Sequence, residues 1–225
     1  MTKELKKRIF TSILLFLLIS FCIFIDIYVS LIALIIISFL TWLEFNRITN
    51  KIYNKKNKFL LNTISIFSFL YLILFTLTTF AIIDSGVIIF IFILLVCIFS
   101  DLGGYIIGKT FKGKKLTKIS PNKTFSGTFG SFIFSVFPLI FFNIIFIYTK
   151  NNEFLIRNDN FFENIFLCLY LSLICQLGDL FISYFKRLAK VKDTGNILPG
   201  HGGVLDRIDG IIFAIPSVIA FLWFF

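Results

Sequence analysis

One histidine, His201, stands in the 225 residues, so this sequence holds no pair of imidazoles for a zinc site or a histidine relay. Cysteine is almost as scarce. Cys22, Cys97, Cys168 and Cys175 all sit inside apolar runs with no C-x-x-C spacing, which is the pattern of small hydrophobes in a bundle and implies neither zinc nor a disulfide framework. No polar stretch is long enough to house a soluble domain, so the expected organisation is one membrane-embedded domain over residues 1–225. Acidic residues number 12 against 22 lysines and arginines. Yet no basic soluble surface with groove-reading or base-stacking elements is present, which excludes nucleic acid as a partner. The 33 phenylalanines read as compositional drift and carry no functional weight.

What is present is hydrocarbon. The chain is 58% hydrophobic, and its apolar residues fall in blocks of membrane-spanning length: about 9–25, 27–45, 59–80, 82–107, 129–148, 161–182 and 208–225. The predicted fold is therefore all-α, a polytopic helical integral membrane protein of about seven transmembrane helices. The opening MTKELKKR and the apolar run after it look superficially like a secretory leader. The residues that follow, Phe21 to Phe24, are too bulky for a cleavage site, so this run is expected to be the first span. Of the 22 cationic residues, all but Lys150 and Arg157 fall in segments that alternate spans place on one side. The positive-inside rule then predicts a cytoplasmic N-terminus and a C-terminus facing outward.

Three segments carry chemistry. In the sixth span and its extension, ICQLGDLFISYFKRLAK, helical geometry would bring Asp179, Ser183, Lys186 and Lys190 within about 60° of one another. Such a stripe suits a divalent cation held by the acid with phosphate clamps beyond it. An Asp–Lys pair with snorkelling lysines would read the same way. The second segment, LPGHGGVLDRIDG, excludes regular helix in its first half and puts Asp206 and Asp209 on one face if a helix starts there. Simple capping of that helix by Asp206 is the competing reading. The third is SDLGGYIIGKTF from Ser100, followed by SPNKTFSGTFG from Ser120. Its residues 103–110 satisfy G-x-x-x-x-G-K-[ST], but a phosphate loop works only between a strand and a helix of an α/β domain, and here a membrane-length run precedes it.

Ser183, Lys186-Arg187, Lys192-Asp193, Pro199-Gly200-His201-Gly202-Gly203 and Asp206-Arg207-Ile208-Asp209 together resemble, in order and spacing, the hallmark of the phosphatidate cytidylyltransferases (CDP-diacylglycerol synthases). Ser100-Asp101, Tyr105, Gly108-Lys109, Ser120-Pro121, Lys123-Thr124 and Gly127 resemble a second segment of that family, except that Ser126 stands where the family usually has glutamate. The resemblance covers roughly residues 100–210 and leaves 1–99 as mainly scaffold spans.

The resemblance implies transfer of a cytidylyl group from CTP to phosphatidate, giving CDP-diacylglycerol and pyrophosphate for phospholipid biosynthesis, at the cytoplasmic face of a bacterial-type inner membrane. It implies Mg²⁺ held by Asp179, Asp206 and Asp209, with a second cation left open. Lys186 and Arg187 would act with these aspartates in catalysis, and Ser183, Lys190, Lys192, His201, Arg207 and Lys123 would bind substrate. His201 fits a phosphate or base contact, or a turn constraint, better than a general base, because a phosphate monoester with a second pKa of about 6 is largely dianionic at neutral pH. The partners implied are CTP, phosphatidate and membrane lipids, with a homodimer left open. Two rivals stay in view: a CTP-dependent kinase of a polyprenol-type lipid alcohol, and a cation-coupled transporter.

Overall fold

The computed structural model describes residues 17, 20–23, 25–53, 57–117, 119–120, 123–149, 161–198, 200 and 202–224, and among them the protein is all-α. Its helices are α1 (Ile27–Tyr53), α2 (Lys58–Ser85), α3 (Val87–Phe111), α4 (Phe125–Ser135), α5 (Phe137–Thr149), α6 (Phe161–Leu188), α7 (Leu205–Ile208) and α8 (Ile211–Phe224). Extended pairing among the described residues is confined to two isolated bridges, Lys115 with Thr124 and Leu198 with Gly202.

Five helical stretches are long and apolar enough to cross a bilayer: Ile27–Tyr53, Lys58–Ser85, Val87–Phe111, Phe125–Ile144 and Phe161–Leu188. This is a polytopic membrane protein, and its outer surface agrees. Phe67 is 71% exposed, Phe129 69% and Trp223 81%, exposures that suit a face against lipid and would be costly against water. The first expected span lies largely outside the described residues, where 17, 20–23 and 25 are helical. The seventh is shorter than its hydropathy implied. It breaks at Asp209–Gly210, and α8 has 14 residues, about 21 Å against a hydrocarbon core of about 30 Å. The fifth is divided at Val136, two residues before Pro138, because proline has no N–H for the helical ladder and crowds the backbone before it.

The core is centred on α3 and α6, where Ile93, Val96, Cys168 and Leu171 are fully buried. Polar side chains inside the bundle bond to one another. Ser38 and Thr76 link α1 to α2 at 2.8 Å, Ser100 and Ser172 link α3 to α6 at 2.8 Å, and Tyr71 Oη donates to the Ile212 carbonyl at 3.2 Å. Small hydroxyls and backbone carbonyls are the usual bonding groups where lipid supplies none.

The seam between α3 and α4 is built from glycine. A Cβ on Gly103 would strike the Gly130 carbonyl and Phe134, one on Gly130 would strike Ile107 and the Gly103 carbonyl, and one on Gly104 would strike Ser131. The three glycines of the GGYIIG run therefore lie on a helix, and their absent side chains let α4 approach backbone to backbone. The segment is not a phosphate loop.

Two outcomes test this arrangement. Single cysteines at Lys51 and Ser85, in a background lacking the native four, should label from opposite sides of the membrane; same-side labelling would contradict the α1–α2 hairpin. Gly130→Ala should lower the thermal midpoint in detergent, because an overpacking cost of about 1–3 kcal/mol exceeds alanine's helix advantage of about 1 kcal/mol. At Gly86 the nearest atom to an added Cβ is 3.6 Å away, so Gly86→Ala should leave the midpoint nearly unchanged.

Candidate active site

Between α3, α4, α6 and the turn at α7 lies a cavity of about 480 Å³. Asp101, Gly104 and Tyr105 reach it from α3, Gly127, Thr128 and Ser131 from α4, and Gln176, Asp179 and Lys186 from α6. Ser120, Lys123 and Thr124 come from the loop before α4, and Asp193, Asp206, Arg207 and Asp209 from the segment after α6. Tyr105 is 65% exposed beside the outward-facing Leu102 and Ile106, so the rim is shared with the apolar outside of the bundle.

Each side chain has a local reason for its place. On α6, Gln176, Asp179, Ser183 and Lys186 recur every three or four residues and so share one face. The Ser183 hydroxyl donates to Asp179 Oδ1 at 3.2 Å. Lys123 arrives from a short hairpin: Leu116 N donates to the Lys123 carbonyl at 2.8 Å and Phe125 N to that of Lys114 at 3.0 Å. Thr124 then caps α4 by accepting from Gly127 N at 3.1 Å. The hairpin aims the Lys123 ammonium at Asp179 Oδ2, 2.5 Å away. Ser126, the departure from the family's glutamate, accepts from Gly113 N at 3.3 Å and bonds Thr124 at 3.0 Å. It holds the two arms of this loop together.

After α6 the chain turns sharply. Lys190 adopts the left-handed conformation with φ 53°, and Val191 N closes the helix on the Lys186 carbonyl at 2.9 Å. Leu198 and Gly202 then exchange hydrogen bonds of 2.9 and 3.2 Å around a tight reversal. Gly200 and Gly202 have φ of 78° and 88° there, which glycine adopts without strain. The reversal returns the chain to Asp206. Its Oδ2 accepts from Thr194 N at 2.7 Å, Thr194 Oγ1 at 3.0 Å and Gly203 N at 3.0 Å, while Oδ1 accepts from Lys186 Nζ at 2.9 Å. Asp206 thus ties the turn before α7 through Oδ2 and Lys186 through Oδ1, and the N-cap position of α7 is Val204 rather than Asp206.

Beneath this turn sits a residue that the sequence did not single out. Glu44 of α1 is 1% exposed. It accepts from Thr194 Oγ1 at 2.9 Å, Val204 N at 3.0 Å and Leu205 N at 2.9 Å. A Cβ on Gly203 would collide with both Thr194 and Glu44, so the glycine makes room for the carboxylate.

The cavity is richer in acid than the cationic sequence implies. Among the described residues its wall carries Asp101, Asp179, Asp193, Asp206 and Asp209 against Lys123, Lys186 and Arg207. Two of those cations are already paired with wall aspartates. Burial by itself would push Asp206 up, but the Lys186 ammonium and the Thr194 and Gly203 amides outweigh it and hold the group below the usual carboxylate range. Aspartate, glutamine and serine oxygens in such a wall fit a hard divalent cation. Among the described residues no three carboxylates already converge as a metal site, so ligands from elsewhere, such as water and phosphate, would have to complete the coordination.

Of the predicted site residues, the fold gathers Asp179, Asp206, Asp209, Lys186, Arg207 and Lys123 in one wall, with Ser183 directly behind Asp179. It does not bring Arg187, Lys190 or Lys192 there. Arg187 donates through Nε to the Ile119 carbonyl at 3.2 Å and so braces the hairpin that carries Lys123. Lys190 leaves the predicted stripe because α6 stops at Leu188, and Lys192 is exposed on the following loop. His201 lies outside the described residues. Asp101 and Gln176 line the cavity without having been assigned to it from sequence, although the Ser-Asp pair at 100–101 was there to be read.

Residues 9–225 match the sequence model of the cytidylyltransferase family. The chain is 46% identical over 119 residues to the phosphatidate cytidylyltransferase of Rickettsia conorii, covering 51% of this chain and 48% of that protein. It is 40% identical over 128 residues to that of Staphylococcus epidermidis, covering 56% and 45%. With that of Helicobacter pylori it shares 33% over 141 residues, covering 63% and 49%. The chain thus spans about half the length of the curated relatives it matches.

The depressed Asp206 makes a prediction about acid. Its contribution to stability is complete at neutral pH and is lost as pH falls from about 4, the unfolded value, through the lower folded value. Asp206→Asn should therefore melt below wild type at pH 7, and the gap should close as the pH drops under about 4. A gap that ignores pH would show that the ionised form is not what the turn holds.

Proposed function

The chain belongs to the cytidylyltransferase family, and we propose that it transfers the cytidylyl group of CTP to phosphatidate. An oxygen of the lipid phosphate attacks the α-phosphorus of CTP, the bond from that phosphorus to the β-phosphate oxygen breaks, and pyrophosphate leaves with its electron pair. The nucleophile is a phosphate monoester, largely dianionic above its second pKa of about 6, and needs no general base. The observation that carries this reading is the pairing in the cavity wall, where Lys123 meets Asp179 and Lys186 meets Asp206 beside further aspartates. Such a wall offers ammonium groups to phosphate and carboxylates to a cation in one place.

Two polyanions must be brought together, so the protein's work is alignment and charge compensation. Lys123, Lys186 and Arg207 would hold phosphate oxygens. Gln176, Thr128 and Ser131 offer hydrogen bonds along the wall. Asp179 and Asp209 would hold a divalent cation, Mg²⁺ by the hardness of the donors, and Asp206 would join through Oδ1 once Lys186 turns to phosphate. When bound, that ion supplies neutralisation of phosphate charge. The distribution of lysine and arginine supports a cytoplasmic position for the cavity, in a bacterial inner membrane, where CTP and a bilayer-borne phosphatidate both reach it.

Purified chain given CTP, Mg²⁺ and phosphatidate should release pyrophosphate and form a CDP-lipid, and with diacylglycerol or a polyprenol it should form nothing. Release of CDP would identify a lipid kinase instead, and the absence of nucleotide turnover with any lipid would sink the reading. Asp179→Asn and Asp209→Asn should each cut turnover by about a hundredfold or more, while Asp193→Asn costs less. Near-normal turnover of both at limiting Mg²⁺ would remove these carboxylates from the cation site.

A further inference from the structure

We infer that Glu44 is a positioning residue for this cavity: through Thr194 and the amides of Val204 and Leu205, it sets where Asp206, and with it Lys186, stand. A carboxylate is costly to bury and survives in a bundle only with donors supplied. The donors of Glu44 at Thr194, Val204 and Leu205 all belong to the segment that ends in Asp206. Among the described residues no ion pair reaches Glu44. The surroundings are shaped for it, since a Cβ on Gly195 would lie 2.5 Å from Glu44 Oε1.

The link to the cavity is one hydroxyl. Thr194 Oγ1 is 2.9 Å from Glu44 Oε2 and 3.0 Å from Asp206 Oδ2, and it has a single proton for two acceptors. Thr194 N fixes the same residue on Asp206 at 2.7 Å. Asp206 then holds Lys186 at 2.9 Å. A change at Glu44 therefore reaches the ammonium group through Thr194 and Asp206, without Glu44 lining the cavity itself.

The activity test rests on the transfer reaction proposed above and is a double-mutant cycle of wild type, Glu44→Gln, Asp206→Asn and the double variant. Gln keeps the shape of Glu but turns an N–H₂ group toward donors. Misalignment should fall on kcat by about a hundredfold, with the KM for CTP moved less than about threefold. The double variant should be no slower than the slower single one, because the two residues act through one arrangement. Losses that multiply, or a wild-type kcat in Glu44→Gln, would overturn the inference. Should Glu44→Gln not fold, Thr194→Val replaces it in the cycle, with the same non-additivity expected. If the wild-type chain turns over no CTP, the functional reading fails, and hydrogen exchange decides the positional claim separately. Glu44→Gln, or Thr194→Val in its place, should then speed amide exchange across residues 194–206 by about tenfold or more while α3 and α4 stay unchanged. Uniform acceleration, or none, would show a merely structural carboxylate.

Discussion

Every polar atom that this chain carries at membrane depth has to be met by another part of the same chain, because hydrocarbon offers no hydrogen bond. Much of the architecture follows from that demand. Ser38 answers Thr76 and Ser100 answers Ser172 across helix pairs. The larger debts of the carboxylates are met by the loop between α6 and α8, whose amides and single threonine hydroxyl converge on Glu44 and Asp206. A loop with that many free N–H groups would be unstable against lipid, and the two acids would be unstable without it. Each makes the other possible, and the cavity is the space left on the side where Asp206 keeps one oxygen for Lys186.

The opposite wall is made by removal rather than addition. Between α3 and α4, Gly103, Gly104 and Gly130 let two backbones approach closely beside Ile107, Ser131 and Phe134. That close approach matters because Asp101 and Tyr105 on one helix, and Thr128 and Ser131 on the other, line the same cavity.

Fold class was legible because it rests on local composition: apolar blocks of membrane length announce themselves. The division at Val136 was missed, because hydropathy reads the block 129–148 as one span although Pro138 lacks an N–H for the helical ladder. What the sequence could not show was how far α6 would run. Lys190 fits the stripe by periodicity alone, and only the left-handed turn that ends the helix removes it. Glu44 was hidden for a different reason. It stands in LEFNR at the end of an apolar run, beside Arg47, where a charge reads as the border of a membrane span. Its partners are 150 to 161 residues away, a distance at which spacing rules say nothing. The one available hint was an acid placed before the cationic cluster instead of within it. Asp206 and Asp209 were singled out because their spacing resembled a family pattern and Asp179 because it fell on a helical stripe, and the wall they share came from tertiary structure.

The paired state of the cavity's lysines has a consequence for what can enter. Lys123 and Lys186 are bound to carboxylates tethered in the same wall, at an effective concentration that a dissolved anion does not match. The wall behaves as an ion exchanger already loaded with its own counter-ions. Free phosphate or chloride, arriving alone, would have to expel a tethered aspartate and leave it without its ammonium partner. A salt that brings both signs at once faces no such penalty, because its cation takes the carboxylates while its polyanion takes the ammonium groups. On the function proposed above, discrimination between a metal-paired polyphosphate and small anions would follow from the charge pairing itself, before any shape is read.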